Sequence, residues 1–253
     1  FDNRIKSIFH EIITGKWAFL KALIIPRTSE AEHKLFLYLN EVRRQTENPN
    51  IPEIYFFDFL HTQNHLSEAY SLEQFLQLHN YLGSPTDLVL EKSIKLSNKI
   101  KVKHNKLAEF RYQGLLSGTE ALTIIGAMYF MDRNDYLLQL TTILSEICTR
   151  KPIKITQKIL VKGYCINHIA FHQSLEKDGA IVVAEDDWWG SRANGSIIAN
   201  SENLLHAIFH KYYFHSPSPR VFPMQKSQSW LLNEVKKDID KLEFYIHPDD
   251  DIL

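Results

Sequence analysis

The spacing of apolar residues divides the chain into short strand-like runs and longer helical stretches. Residues 3–16 carry isoleucine and phenylalanine at helical spacing, which predicts a helix with one buried face. Residues 22–25 form a short apolar run closed by Pro26, which is typical of a buried strand. The spacing of apolar residues is helical again from Ser29, where Ser29 and Glu32 form a capping-box pattern. Residues 54–59 then return to strand character. The pattern therefore predicts a βαβ unit.

The second half repeats this plan after a long helical stretch. Residues 68–149 have a helical pattern with breaks at 83–85, 117–119 and 132–134. Strands are predicted at 159–161, 181–183 and 242–246, and helices up to Asp178, at 202–214 and at 230–240. A polar stretch around Lys151 and Pro152 indicates a boundary. We therefore predict an α/β fold with two flavodoxin-like (Rossmann-type) domains, each with a parallel sheet, and a cleft between them. The N-terminal domain would span residues 1–152 and include a helical insertion, and the C-terminal domain would span residues 153–253.

Composition narrows the class of protein. With 44% hydrophobic and 23% charged residues and a net charge of −1, the chain resembles an ordinary globular protein and offers no electrostatic case for binding nucleic acid or a membrane. No apolar run approaches the ~20 residues of a membrane-spanning helix, and no signal-peptide pattern is present, so we expect a cytoplasmic protein. Because the chain begins at Phe1 rather than Met and ends abruptly, we expect a fragment with a truncated C-terminal domain.

The segment 184–192 is unusually polar and aromatic for the exit of a strand. It holds three carboxylates, two indoles, a glycine and an arginine: Glu185, Asp186, Asp187, Trp188, Trp189, Gly190 and Arg192. Ligands of open parallel sheets bind outside the carboxyl ends of the strands, so this segment is a candidate site. The alternative is a capped turn, in which an aspartate binds backbone N–H groups and the indoles cover a domain edge.

Other candidates are less specific. Phosphate-loop, dinucleotide and G-x-S-x-G fingerprints are absent. Cys165 follows a predicted strand and is either a thiolate ligand or nucleophile, or a small buried apolar residue. Ser29 could bind an anion together with Arg27, although helix capping alone explains it. Arg192 and Arg220, the latter in a proline-rich loop, are suited to recognising phosphate or carboxylate. The two cysteines, Cys148 and Cys165, are too few for a disulfide framework or a thiolate metal site, and the metal-ligating residues remain unknown.

Three segments together resemble the 2-hydroxyacyl-CoA dehydratase family, which includes 2-hydroxyglutaryl-CoA dehydratase and benzoyl-CoA reductase subunits. They are residues 158–163, 178–192 and 216–221. The most specific match is the Asp-Asp-x-x-Gly-Ser-Arg stretch at 186–192. Residues 24–29 are similar in layout to a family strand that runs into a ligand cysteine.

The resemblance implies two flavodoxin-like domains with a [4Fe-4S] cluster between them. It also implies paired subunits, as a heterodimer or homodimer, and an ATP-hydrolysing iron–sulfur activator that supplies an electron for ketyl radical chemistry on an acyl-CoA thioester. Where the family has ligand thiolates, this chain has Ser29, Trp188 and Ser218. Two hypotheses follow: a subunit of a dehydratase (lyase) or acyl-CoA reductase complex, and a cluster-free acyl-CoA-binding or scaffolding paralogue in which Trp188 fills the cluster space.

The resemblance also suggests roles for individual side chains. Ser29 and Cys165 would approach the thioester or cluster, and Glu185, Asp186 and Asp187 would position the loop or move protons. Arg192 and Arg220 would bind CoA phosphates or the acyl carboxylate. The full predicted binding set is Arg27, Trp188, Gly190, Ser191, Arg192, Ser218 and Arg220.

Overall fold

The computed structural model of the protein describes residues 3–163, 166, 168–187, 189–190, 195–216, 218 and 221–246. Contacts between Cα atoms divide the chain into two compact units, Phe1–Ser84 and Pro85–Leu253. Each unit contains one parallel sheet and its own helices.

The first unit is a βαβ arrangement with an additional helix on either side. Its elements are α1 (Asn3–Ile13), β1 (Ala22–Pro26), α2 (Glu30–Thr46), β2 (Glu53–Phe57) and α3 (His65–Tyr81), and β1 pairs with β2 in parallel. The core comprises the buried residues Ile5, Ile12, Ile25, Leu35, Leu39 and Ile51. Of the isoleucines of α1, Ile5 and Ile12 are buried, and Ile8 and Ile13 pack partly buried against the same core, as their spacing predicts.

Three helices open the second unit: α4 (Asp87–Tyr112), α5 (Gly118–Ala127) and α6 (Arg133–Ile147). Helix α5 begins with a capping box formed by Ser117 and Glu120, and Asp132 caps α6 by accepting hydrogen bonds from two backbone N–H groups. Their facing apolar residues, among them Leu107, Leu116 and Leu140, form the largest buried cluster of the described residues.

The second sheet follows these helices along the chain. Its elements are β3 (Gln157–Gly163), α7 (Ile169–Leu175), β4 (Ala180–Asp186), α8 (Leu204–Phe214), α9 (Gln225–Val235) and β5 (Lys241–Tyr245). The strands are parallel in the order β4-β3-β5, so β3 lies in the centre. At its carboxyl end Gly163 adopts φ 141°, and a Cβ there would lie 2.0 Å from the carbonyl oxygen of Tyr245, so only glycine fits this approach of the two strand ends.

The α/β class, the parallel sheets and the predicted breaks between helices are confirmed. The division between the compact units differs from the boundary expected near residue 152: it falls at Ser84, because α4 and α5 pack against β4. Helix α9 also begins and ends earlier than its predicted range, and Asp238, with φ 63°, follows its end. Among the described helices, none is long and apolar enough to cross a membrane.

Candidate functional site

Three consecutive carboxylates at the carboxyl end of β4 are all buried. Glu185, Asp186 and Asp187 are between 1% and 2% exposed. Because side chains alternate along a strand, Glu185 and Asp186 point to opposite faces of the sheet, and Asp187 follows the strand end. A buried carboxylate is unfavourable unless it has compensating partners, so the partners of these three residues decide whether they are structural or reactive.

Glu185 forms a buried ion pair with Arg111 of α4. The Arg111 Nη1 group donates to Glu185 Oε2 at 2.9 Å, and Nη2 donates to Oε1. The same guanidinium donates from Nε to the carbonyl oxygen of Val182 at 2.8 Å, so it also binds the strand itself. His172 of α7 completes the group, with its Nε2 2.8 Å from Glu185 Oε1. Helices α4 and α7 are thereby joined to β4 by charge-assisted hydrogen bonds.

The electrostatic balance of this network favours the ionised carboxylate. Burial alone raises the pKa of Glu185, but the Arg111 charge and the hydrogen bonds from His172 and Arg111 outweigh it and lower the pKa to about 2. Glu185 is therefore an anion at neutral pH. With Arg111 2% and His172 0% exposed, the arrangement is that of a structural ion network.

The two aspartates have different partners: Asp186 binds a side chain and Asp187 binds backbone N–H groups. Lys162 of β3 reaches Asp186 Oδ2 at 2.6 Å, across the pair of strands in which these residues are directly opposed. Asp187 accepts from the backbone N–H of Gly190 through Oδ1 and from that of Ile166 through Oδ2 at 3.4 Å. A Cβ at Gly190 would lie 2.5 Å from Glu185 Oε2, so the turn requires the close approach that glycine permits. These contacts are those of a capped turn.

Trp189 anchors this turn on helix α5. Its indole lies across Gly126, where a Cβ would come within 2.5 Å of the ring, and it stacks on Tyr129 at 5.1 Å between ring centroids. The indole N–H donates to the carbonyl oxygen of Leu122 at 3.3 Å. The strand exit is therefore fixed to α5 by an aromatic contact as well as by hydrogen bonds.

A cavity of about 1060 Å³ lies beside β4 within the second unit. Val183 and Ala184 of β4 contribute to its lining, together with residues of α4, α8 and α9. Aromatic side chains line much of it: Tyr112, Phe214 and Trp230. Polar and charged side chains make up more than half of the lining residues, and a cavity of this size can hold a small molecule. We call it the α4/α9 chamber.

The polar groups of the α4/α9 chamber are mixed in charge. Glu109, Lys226, Glu234 and Lys237 line it. The Tyr112 hydroxyl is buried and has no hydrogen-bond partner among the described residues. Burial, with Glu234 and Glu185 nearby, raises its pKa to about 12, so it remains a neutral donor. Burial also lowers the pKa of the Lys226 ammonium. The chamber therefore combines apolar surface with a neutral hydrogen-bond donor and with charged side chains of both signs.

The predicted residues of the first unit have local partners. Ser29 caps α2: its hydroxyl oxygen accepts from the Ala31 N–H at 3.1 Å, and the hydroxyl donates to Glu32. Arg27 pairs with Glu30 at 3.2 Å and lies 3.5 Å from Asp58. Among the remaining predicted residues, Ser218 accepts through its backbone carbonyl from Val221 N–H at 3.1 Å. Outside the described residues lie Cys165, Trp188, Ser191, Arg192 and Arg220.

The side chains present do not fit an iron–sulfur cluster. The 253 residues contain two cysteines, whereas clusters are held chiefly by three or four thiolates. Cys148 is exposed at the end of α6, and the Ser29 hydroxyl is committed to its helix cap. Within the described ranges, no group of three or more His, Cys, Asp or Glu side chains is placed to hold a metal ion.

Several residues of this region were missed by sequence reasoning. Arg111 and His172 are far from Glu185 in sequence, and nothing local signals their pairing. A signal does exist for Arg111, since it follows the buried Leu107 and Phe110 on the apolar face of α4, where an arginine requires a partner. The lining of the α4/α9 chamber comes from segments distant in sequence.

Comparison with known proteins supports the resemblance carried by the 186–192 stretch. Curated proteins gave no match to the chain. A family model described as 2-hydroxyglutaryl-CoA dehydratase, D-component, matches residues 3–240, which is nearly the whole length. The chain therefore belongs to the 2-hydroxyglutaryl-CoA dehydratase D-component family.

Proposed function

We propose that the chain is a subunit of a 2-hydroxyacyl-CoA dehydratase or benzoyl-CoA reductase-like assembly and that it binds an acyl-CoA thioester in the α4/α9 chamber. The observation that carries this proposal is the match to the dehydratase component over residues 3–240. The chamber supports it, because it has the size and mixed lining that a thioester with a nucleotide portion requires.

We assign the one-electron chemistry of such an assembly to a partner subunit. The reason is the donor set of this chain, since two cysteines and a capping serine do not supply cluster ligands. A second homologous subunit, reduced by an ATP-dependent activator, would then carry the cluster. The present chain would bind the ester and the partner in a cytoplasmic complex.

The chamber can be blocked by a single substitution. Ala108 lines it from α4, so Ala108→Phe places a ring in the cavity. Val102→Phe is the matched control, because Val102 lies on the same helix and is 60% exposed. We expect Ala108→Phe to weaken acyl-CoA binding at least ~10-fold in isothermal titration calorimetry, a loss of about 1.4 kcal/mol, and Val102→Phe to leave it unchanged. Wild-type protein that binds no CoA ester, or equal affinity in both variants, would overturn the proposal.

A cluster-free acyl-CoA-binding or scaffolding paralogue is the second candidate function. The capping role of Ser29 favours it, since this position stands where the family has a ligand cysteine. Redox activity of complexes reconstituted from this chain, its partner subunit and the activator separates the candidates. Active complexes would reject the second candidate, and complexes without redox activity would support it, whereas about four irons per chain after anaerobic purification would overturn the assignment of the cluster to a partner.

A further inference from the structure

Two helices each turn one face to the α4/α9 chamber. On α9, the lining residues Trp230 and Asn233 are three positions apart. On α4, Ala108 and Tyr112 are four positions apart and line it as well. Residues at these spacings share a helix face, so neighbouring side chains on either wall can contact the same ligand.

The charged side chains of the chamber have partners within the chain. Glu234 pairs with Lys237 at 2.5 Å, and Glu109 pairs with Lys106 at 2.5 Å. The Lys226 ammonium donates to a backbone carbonyl oxygen at the end of α8. These ionised groups therefore do not by themselves select a charged ligand.

Other groups of the lining have no partner among the described residues. The Trp230 indole is partly buried, and there it makes neither a ring contact nor a hydrogen bond. The side-chain amides of Asn105, Gln113 and Asn233 likewise have no hydrogen-bond partner in the part of the chain that the structure describes. By contrast, the Phe214 ring contacts the rings of neighbouring side chains of α8. The lining thus leaves an aromatic face and several amides for a ligand.

An indole and a carboxamide recognise complementary parts of a flat nitrogen heterocycle. The face of a base stacks on an aromatic ring, and this contact requires no charge on the ligand. An asparagine amide presents a donor and an acceptor side by side, the pattern that pairs with the N6 amino group and N7 of adenine. Hypoxanthine has acceptors at both O6 and N7, so the same amide matches it less well.

We propose that the chamber contains a binding site for an adenine base, which stacks on the Trp230 indole and hydrogen-bonds to the Asn233 amide. The two side chains lie on one face of α9, so a single base can contact both. The chamber volume of about 1060 Å³ leaves room for groups attached to the base. Identifying the base as the adenine of an acyl-CoA rests on the proposed function, but the base site itself does not.

Binding of adenosine to the purified chain tests the stacking contact, because adenosine has neither a phosphate nor a thioester. Calorimetry compares the wild type with Trp230→Leu, with Trp230→Phe and with the matched control Leu232→Ala, on the same helix and 58% exposed. We expect Trp230→Leu to bind about 5- to 150-fold more weakly, the range for loss of base stacking, and the control to bind like the wild type. Trp230→Phe keeps a ring, so it should bind more tightly than Trp230→Leu, while the quenching of tryptophan fluorescence by adenosine is lost.

A second comparison tests the amide contact. We expect the wild type to prefer adenosine to inosine and Asn233→Leu to lose that preference. Thermal melting without ligand confirms that each variant is folded. Wild-type protein that binds no adenosine, or equal adenosine affinity in Trp230→Leu, overturns the site. Equal affinity of the wild type for adenosine and inosine overturns the amide contact.

The same variants separate this site from the proposed function. If adenosine binds through Trp230 and no CoA ester binds, the proposed function fails while the adenine site stands. If an acyl-CoA binds and Ala108→Phe weakens it, but Trp230→Leu binds adenosine as the wild type does, the adenine site fails while the proposed function stands.

Discussion

The second unit buries two groups of cations in opposite ways. Arg111 donates to the Glu185 carboxylate and to the Val182 carbonyl oxygen, and His172 binds the same carboxylate, so the guanidinium faces oxygen acceptors. Lys211 is about as buried but faces Lys101 instead of an anion. A buried cation with its partner in the fold contributes to structure. Burial of an ammonium that has no hydrogen-bond acceptor is unfavourable, so the two buried cations differ in how far the described residues compensate them.

The largest effect is expected from breaking the compensated network. Glu185→Ala leaves the Arg111 guanidinium buried without its carboxylate, and we expect the free energy of unfolding to fall by about 3–5 kcal/mol. Urea denaturation followed by circular dichroism measures the change. In the double variant Arg111→Met/Glu185→Leu no charge is stranded, and stability should return to within about 2 kcal/mol of the wild type. A double variant as unstable as Glu185→Ala would show that the network is not the cause.

The opposite sign is expected at Lys211, whose Nζ has no hydrogen-bond partner among the described residues. Lys211→Met replaces a buried ammonium by an apolar side chain of similar length, and we expect the unliganded protein to become more stable by about 1–3 kcal/mol. The same urea titration applies. A Lys211→Met variant less stable than the wild type would contradict the view that burial of this ammonium is unfavourable.

Per pH unit, a smaller effect is expected from the pH dependence of the free energy of unfolding. The pKa of Lys211 is about 7 in the folded protein and near 10.5 as an ordinary lysine. The unfolded chain therefore binds more protons between these values, and stability should rise with pH through that window by at most about 1.4 kcal/mol per unit. Lys101 of α4 is the charged group that acts on Lys211, and the Lys211 Nζ lies 5.1 Å from the Tyr212 ring centroid. Unfolding of Lys211→Met measured from pH 7 to 10 should show a flatter profile; identical profiles would exclude Lys211 as the titrating group.

The smallest effect is expected at an exposed pair on the same helix. Lys95 and Glu91 of α4 form an ion pair with both side chains about half or more exposed. Because water screens such pairs, Glu91→Gln should leave the urea midpoint unchanged. A shift comparable to that of Glu185→Ala would mean that burial does not distinguish the pairs.

Local patterns predicted most of the elements. The apolar spacing of α1, the breaks around Ser117 and Asp132 and the run before Glu185 each depend on neighbours in sequence, so the sequence alone reveals them. The partner of Glu185 lies 74 residues away on α4, and Lys101 and Lys211 come from helices that meet only in the folded unit. Polar residues on mostly apolar helix faces were the available signal, but which of them meet is decided by packing.

The boundary between the compact units also depends on contacts between residues that are distant in sequence. Helices α4–α6 follow the first βαβ arrangement without a strong change of composition, so their assignment to the first half was reasonable from the sequence. The packing of α4 and α5 against β4 depends on two contacts. At Gly118 a Cβ would lie 2.6 Å from the Val182 carbonyl oxygen, and Arg111 forms a buried ion pair with Glu185. Neither contact can be inferred from local periodicity.

The contact between Trp189 and Gly126 has a consequence for how this family can diverge. The indole occupies the space in which any other side chain at 126 would begin. The two positions are therefore expected to change together across homologues, with glycine at 126 wherever 189 is a large aromatic and a bulkier residue at 126 only where 189 is small. Replacing Gly126 by a larger residue while Trp189 is present would give an unstable intermediate sequence, whereas replacing Trp189 by a smaller residue first would avoid that clash.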